Sequence, residues 1–181
     1  MIKFFLFFFF ISLIFKANAD NKANIIENLK NTVNLSFKFE QDINGKMEKG
    51  NCTIEYPKKI YCEYDKNDKV LVSNGKSLVI KSTSSYYLYP LKKTPLNLIL
   101  DKNFLMNQIY DLNENIIDKS YINYKITYNE KKIDIFFDLN TFNLIGWQTK
   151  DMYQKTAMTL IHSISKNQQI KDKLFKLPPQ N

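Results

Sequence analysis

Residues that commonly carry out chemistry are scarce in this sequence of 181 residues. It has one histidine, His162, in the strand-like stretch LIHSI, and two cysteines, Cys52 and Cys62. Two cysteines and one histidine do not make a four-ligand zinc site. The sequence contains no G-x-S-x-G nucleophile motif, and its four glycines leave little material for a phosphate-binding loop. We therefore expect no catalytic residue, no metal and no cofactor, and a protein that is not an enzyme.

The amino terminus has the parts of a secretory signal peptide. Lys3 supplies a positive charge, residues 4–15 are an unbroken apolar run, and Ala17-Asn18-Ala19 is a small-x-small cleavage site. An apolar helix of this length spans about 18 Å, which is short of the ~30 Å hydrocarbon core of a bilayer. We expect residues 1–19 to be removed and residues 20–181 to form one exported domain.

In an exported chain the two cysteines can form a lasting disulfide. Residues 50–64 read as two strands joined by a turn at Pro57, and side chains two apart share a face of a strand. Cys52 and Cys62 then face the same way on neighbouring strands. Opposite Cβ atoms lie about 4.5–5.5 Å apart, and a disulfide needs ~3.5–4.5 Å. The bridge is feasible if the register places them opposite, and the uncertain turn length leaves the pairing open.

One face of this hairpin and of the strand before it is apolar. Leu35, Phe37 and Phe39 alternate with polar residues, which is the period of a half-buried strand. The matching face of the hairpin consists of Cys52, Ile54, Tyr56, Ile60, Cys62 and Tyr64. Composition alone does not separate an ordinary core from the wall of a cavity.

The rest of the chain reads mostly as short strands after one helix over residues 23–32. Asn-Gly turns at 44–45 and 74–75 mark hairpins. Further strands are predicted over residues 46–56, 69–73, 76–81, 121–128, 132–138, 144–150 and 156–164, and a helical turn over 168–173. This pattern predicts an antiparallel sheet curled toward a barrel.

A short helix over residues 94–100 is apolar on two sides. Thr94 is a good N-cap and Pro95 suits the first helical position. Leu96, Ile99 and Leu100 lie on one face and Leu98 on the other, so the helix needs a second apolar partner besides the sheet. Helical structure is expected to continue over residues 101–108.

Several blocks, in order, resemble the LolA family, the periplasmic carriers of outer-membrane lipoproteins. They are the hairpin at 50–64, the turn VSNGKSL at 72–78, the segment YYLYPLKKTPLNLIL at 86–100, the stretch FDLNTFNLIGW at 137–147 with Asp151 and Thr156, and the closing IKDKLF at 170–175. The resemblance implies an unclosed antiparallel β-barrel of about eleven strands, covered by a lid of short α-helices.

The resemblance also implies a function: acyl chains of lipoproteins bind in a cavity beneath the lid. The expected cavity and lid residues are Leu35, Phe37, Phe39, Ile54, Tyr56, Ile60, Cys62, Leu96, Leu98, Ile99 and Leu100. Ile60 matches an apolar position that the family uses in ligand release. The position before Pro57, often an arginine that holds the lid, is Tyr56, whose hydroxyl can make one such hydrogen bond but not a fork of them.

The implied partners are acylated lipoproteins, an inner-membrane ABC transporter that releases them, and an outer-membrane acceptor lipoprotein or the outer membrane itself. The implied location is the periplasm of a Gram-negative bacterium. All 26 basic residues are lysines, scattered among acids, so we expect a protein that binds no nucleic acid. We also expect a monomer. The alternative is a half-barrel of this kind that binds other lipids or acts as an envelope-stress sensing module.

Overall fold

The computed structural model describes residues 20–66, 68–150 and 155–180. The expected signal peptide and Asp151 lie outside these residues. The helices are α1 (Asn21–Asn31), α2 (Leu96–Ile99) and α3 (Lys102–Asp111), with a 3₁₀ turn at Leu91–Lys93. The strands are β1 (Asn34–Ile43), β2 (Lys46–Glu55), β3 (Lys59–Tyr64), β4 (Val70–Asn74), β5 (Ser77–Lys81), β6 (Tyr86–Pro90), β7 (Asn115–Ile117), β8 (Tyr121–Tyr128), β9 (Lys131–Asp138), β10 (Leu144–Lys150) and β11 (Thr156–Lys166).

Within the described residues, eleven strands form one antiparallel sheet that does not close. The strand order is β6-β5-β4-β3-β2-β1-β11-β10-β9-β8-β7, so β6 and β7 are the two edges. β1 pairs with both β2 and β11, which joins the first and last strands of the chain. The predicted unclosed barrel is confirmed.

The two Asn-Gly sequences form tight turns, as predicted. Asn44 and Gly45 both have positive φ, and Gly45 N–H donates to the Asp42 carboxylate at 2.6 Å. At the second turn Gly75 has a φ of 94°, which suits a residue without a Cβ. These turns fix the register of the strands that they join.

The helices pack their apolar faces into the same core as the inner face of the sheet. α1 contributes Ile25 and Leu29, and α3 contributes Leu105 and Ile109. Lys102, at the start of α3, donates from Nζ to the Lys30 and Thr32 carbonyls at 3.1 and 2.9 Å. This contact satisfies carbonyls at the end of α1 and fixes α1 beside α3.

Three local predictions differ from the structure. Thr94 does not cap α2, because its hydroxyl donates to the Leu91 carbonyl at 2.8 Å and closes the 3₁₀ turn. The helical structure predicted over residues 101–108 is present as α3, but it is a separate helix rather than a continuation of α2, because Asp101 caps it by accepting from Phe104 N–H at 3.1 Å. Residues 168–173 are not helical, and the short edge strand β7 was not predicted.

None of the helices in the described ranges is long and apolar enough to cross a membrane.

Candidate ligand-binding cavity

A cavity of about 240 Å³ lies between the inner face of the sheet and α2. Most of its wall is apolar. The apolar residues of the wall are Phe39, Ile43, Cys52, Ile60, Cys62, Leu71, Leu78, Ile80, Pro95, Leu96, Ile99 and Trp147. The polar residues are Gln41, Tyr64, Lys69, Thr94, Thr149, Lys150 and Thr159.

The register of β2 and β3 places the two cysteines in this wall. Cys52 lies directly opposite Cys62, and Ile54 lies opposite Ile60. The cysteines form a disulfide with Cα atoms 4.1 Å apart. The sequence left the register of these two strands open, and the structure has the register that places the cysteines opposite each other. The predicted disulfide is confirmed.

Gly50 leaves room for the aromatic part of the wall. A Cβ at this position would lie 2.0 Å from the Glu63 carbonyl oxygen and 2.9 Å from the Phe39 ring. The Phe39 ring can therefore pack over β2 and contact Tyr64 edge to face, with ring centroids 5.0 Å apart.

The lid consists of residues 91–100, that is, the 3₁₀ turn and α2. Leu96 and Ile99 face the cavity. Leu98 and Leu100 are buried in the surrounding core instead. The helix is apolar on two sides because one side faces the cavity and the other packs into the core.

The predicted site residues fall into two groups. Those that line the cavity are Phe39, Ile60, Cys62, Leu96 and Ile99. Those that are buried in the surrounding core are Leu35, Phe37, Ile54, Tyr56, Leu98 and Leu100. The structure adds the wall residues Leu71, Leu78 and Trp147 and several polar groups, which the sequence reasoning missed.

Lysines make several of the contacts that hold the lid down. Lys58 N–H donates to the Leu100 carbonyl at 2.8 Å, and Lys58 Nζ lies 3.2 Å from the Asp101 carboxylate. From the other side of the lid, Lys131 Nζ donates to the Lys92 carbonyl at 2.9 Å. Two of these three contacts depend on a lysine ammonium group, and the third is a backbone bond.

Tyr56, at the family's arginine position, makes no such contact. Its hydroxyl is buried and has no hydrogen-bond partner in the part of the chain that the structure describes. Burial raises the pKa of this hydroxyl, so it stays neutral. Its ring lies 6.0 Å from Lys102 Nζ. The polar contacts of the lid therefore come from Lys58, from Lys131 and from the Leu91 N–H, which donates to the Lys76 carbonyl at 2.9 Å, rather than from Tyr56.

A chain of polar contacts crosses one end of the cavity. Gln41 donates to the Thr159 hydroxyl at 2.8 Å, and the Tyr64 hydroxyl lies 3.5 Å from the Gln41 oxygen. Lys69 Nζ lies 4.0 Å from the centre of the Tyr64 ring and donates to Glu48 at 2.6 Å. Burial alone would raise the pKa of Glu48, but the hydrogen bond and charge of Lys69, with help from Lys46, lower it overall.

The histidine of the chain lies away from the cavity wall. His162 is exposed, and its ring nitrogen lies 3.1 Å from the Ser163 hydroxyl. Among the described residues no group of three or more potential metal ligands is found. An open antiparallel sheet with an apolar cavity beneath a short helical lid is typical of the class of proteins that bind apolar or amphiphilic ligands.

The comparison with protein families agrees with this class. The family described as outer membrane lipoprotein carrier protein LolA matches residues 28–178. The chain belongs to the LolA family.

Solved structures with a similar fold share little sequence with this chain. A putative outer membrane lipoprotein-sorting protein domain from Vibrio parahaemolyticus is 7% identical, with a TM-score of 0.48 over 86% of this chain and 94% of that one. A LolA superfamily protein from Nitrosomonas europaea is 9% identical, with a TM-score of 0.43 over 88% and 99%. LprF from Mycobacterium bovis is 11% identical, with a TM-score of 0.44 over 84% and 94%. No curated protein matches the chain.

Proposed function

We propose that this protein is a periplasmic carrier that binds the acyl chains of lipoproteins in the cavity beneath the lid and takes them to the outer membrane. The observation that carries the proposal is the wall of that cavity, which is apolar on the sheet side and on the lid side. Membership of the LolA family supports the same role.

The energetics explain why such a carrier is needed. Each methylene removed from water is worth about 0.8 kcal/mol, so a chain of myristoyl length costs on the order of 11 kcal/mol to expose. Ile60, which is 2% exposed, and Leu78 offer surroundings about as apolar as lipid. Transfer between membrane and cavity is then nearly neutral, and no covalent step is required.

The size of the cavity implies that the lid moves during loading. A methylene is about the size of a water molecule, whose share of liquid volume is ~30 Å³. The cavity of about 240 Å³ therefore holds roughly eight such groups, which is about half of one long acyl chain. A lipoprotein with complete chains needs a wider space, and a displaced α2 provides it.

The lid contacts suit such a movement. The Lys58–Asp101 ion pair is partly exposed, with 34% and 26% of the two side chains accessible. Exposed pairs of this kind contribute about 1 kcal/mol or less. The lid is therefore held weakly enough to yield to a ligand whose chains bury far more apolar area.

The location and partners follow from this proposal. Residues 1–19 direct export, and the mature chain begins at Asp20, whose side chain caps α1 by accepting from Lys22 N–H. The lipoproteins are released to it by an inner-membrane ABC transporter. They pass to an outer-membrane acceptor lipoprotein or to the outer membrane itself.

The test is release of a lipoprotein from membranes. Inner-membrane vesicles that contain the transporter and a radiolabelled lipoprotein are incubated with ATP and purified residues 20–181, and soluble complex is measured. Ile60→Glu places a carboxylate in the cavity wall and is expected to abolish release, because a desolvated charge costs several kcal/mol.

The matched control is Thr127→Glu. Thr127 is exposed on β8 opposite Lys132, so the same carboxylate there faces water and a lysine. The control is expected to release lipoprotein as the wild type does. Normal release by a folded Ile60→Glu variant, or retention of all lipoprotein in the vesicles with the wild type, would contradict the carrier role.

A further inference from the structure

The polar groups at one end of the cavity are not needed to hold the apolar part of an acyl chain. Gln41 lies two residues beyond Phe39 on β1, about 7 Å further along the strand, and lines the same cavity. Thr159 faces it from β11 and is 3% exposed. Gln41 and Tyr64 are partly buried and line the cavity wall beside the buried Thr159.

The Gln41 amide has hydrogen-bonding capacity left over. A glutamine side chain has two N–H donors and an oxygen with two lone pairs. Among the described residues, one N–H donates to Thr159 at 2.8 Å, and the oxygen receives one long contact from Tyr64 at 3.5 Å. The second N–H and most of the acceptor capacity remain for a molecule in the cavity.

We propose that Gln41, with Tyr64, recognises the carbonyl group that joins an acyl chain to the rest of the ligand. This inference rests on the proposed acyl-binding function and adds a specificity to it. The chain occupies the apolar part of the cavity, and its ester or amide carbonyl accepts a hydrogen bond from Gln41 at the polar end. The ligand class is therefore acyl compounds, in preference to alkyl compounds of equal length.

The physical reason for selectivity is the cost of a polar group that a bound ligand covers without giving it a partner. An ether-linked chain fills the same apolar volume but brings no carbonyl to the Gln41 N–H. A site that hydrogen-bonds its ligand discriminates against an analogue that lacks the group, because the site's own polar atom is then left unpaired. One neutral hydrogen bond corresponds to about two- to tenfold in affinity.

The experiment compares two probes that differ only in this carbonyl. They are 1-octanoylglycerol, an ester, and 1-O-octylglycerol, the corresponding ether, whose chains match the cavity volume. Trp147 is the single tryptophan and lines the cavity, so its fluorescence reports binding directly. The wild type is expected to bind the ester about two- to tenfold more tightly than the ether.

Gln41→Met keeps the length of the side chain and removes its hydrogen bonds, so the preference for the ester should fall to nearly one. Tyr64→Phe keeps the ring beside Phe39 and is the second variant, with a smaller expected loss of preference. Gln148→Met is the matched control, because Gln148 contacts Asp134 on the neighbouring strand and does not line the cavity. It should keep the wild-type preference.

The possible outcomes separate the two proposals. Equal binding of ester and ether by the wild type would overturn the carbonyl site but leave the acyl-binding cavity intact. A preference that survives in both Gln41→Met and Tyr64→Phe would do the same. If neither probe changes Trp147 fluorescence or binds in dialysis, both the carbonyl site and the acyl-binding function are wrong.

Discussion

Removal of the two lysine side chains that hold the lid should raise the population of the open state. The variant is Lys58→Met combined with Lys131→Met. It removes the ion pair to Asp101, with its 3.2 Å separation, and the hydrogen bond to the Lys92 carbonyl at 2.9 Å. The Lys58 backbone bond to Leu100 remains, so the lid loses only part of its support.

The magnitude follows from the exposure of these contacts. The ion pair is about one-third exposed, so it contributes about 0.5–1 kcal/mol after screening by solvent. The Lys131 hydrogen bond contributes about the same. Together the two changes shift the closed-to-open equilibrium by about 1–2 kcal/mol, which is roughly a 5- to 30-fold larger open population.

Amide hydrogen exchange measures this population directly. The amides of Lys58 and Leu91 bond across the edge of the lid, to the Leu100 and Lys76 carbonyls, so they are protected while the lid is closed. In the double variant they should exchange about 5- to 30-fold faster than in the wild type. The amides of β1 and β2 should keep their rates, which distinguishes lid opening from global unfolding.

A control for the loss of a lysine charge is Lys125→Met, on an exposed position of β8. It should leave the lid amides at the wild-type rate. If the double variant exchanges its lid amides no faster than this control, the two lysine side chains do not hold the lid, and the reasoning from the contacts is refuted.

Three further predictions concern the disulfide, the mature terminus and pH. Replacing both Cys52 and Cys62 by alanine opens a loop with a sequence separation of 10 and should lower the free energy of unfolding by about 2–3 kcal/mol in urea titrations; an unchanged midpoint would contradict this. Intact-mass analysis of osmotic-shock fluid should find a chain that begins at Asp20, and a retained leader or a lipid adduct would refute the proposed processing. The pKa of Glu48 is lowered in the folded protein from 4.5, so the stability that the ionised carboxylate contributes is present above that value and is lost as pH falls through the lower folded pKa. Between about pH 5 and pH 3 the wild type should therefore lose more stability than Glu48→Gln. Equal losses would argue against the Lys69 pairing.

Period-two patterning was enough to predict most of the strands, although not β7, and the inner face of the β2–β3 hairpin. It placed Ile60 and the two cysteines on one face, and the structure has them on one wall. It could not say which inner-face residues lie beneath α2, because that depends on where a helix of four residues settles on the sheet. Ile54 and Ile60 are directly opposite each other, yet only Ile60 lines the cavity.

The polar and lid contacts depend on residues far apart in sequence, so local patterns do not reveal them. Lys131 and Lys92 are separated by 39 positions, and Gln41 and Thr159 by 118. The prediction that Thr94 caps α2 was wrong for a local reason. The Thr94 hydroxyl donates to the Leu91 carbonyl in the 3₁₀ turn before α2 instead. One signal for Gln41 was present: it continues the inner-face period of Leu35, Phe37 and Phe39 with a polar side chain.

The most direct test of the central claim is photocrosslinking from inside the cavity. A photoreactive phenylalanine analogue replaces Leu96, which faces the cavity from the lid, and a second chain carries it at the exposed Thr127. After irradiation of intact cells, adducts are isolated and identified by mass spectrometry. The account predicts lipoprotein adducts joined through an acyl chain at position 96 and none at position 127. Absence of any acyl adduct at position 96, or equal adducts from both positions, would contradict the claim that this cavity binds the acyl chains of lipoproteins.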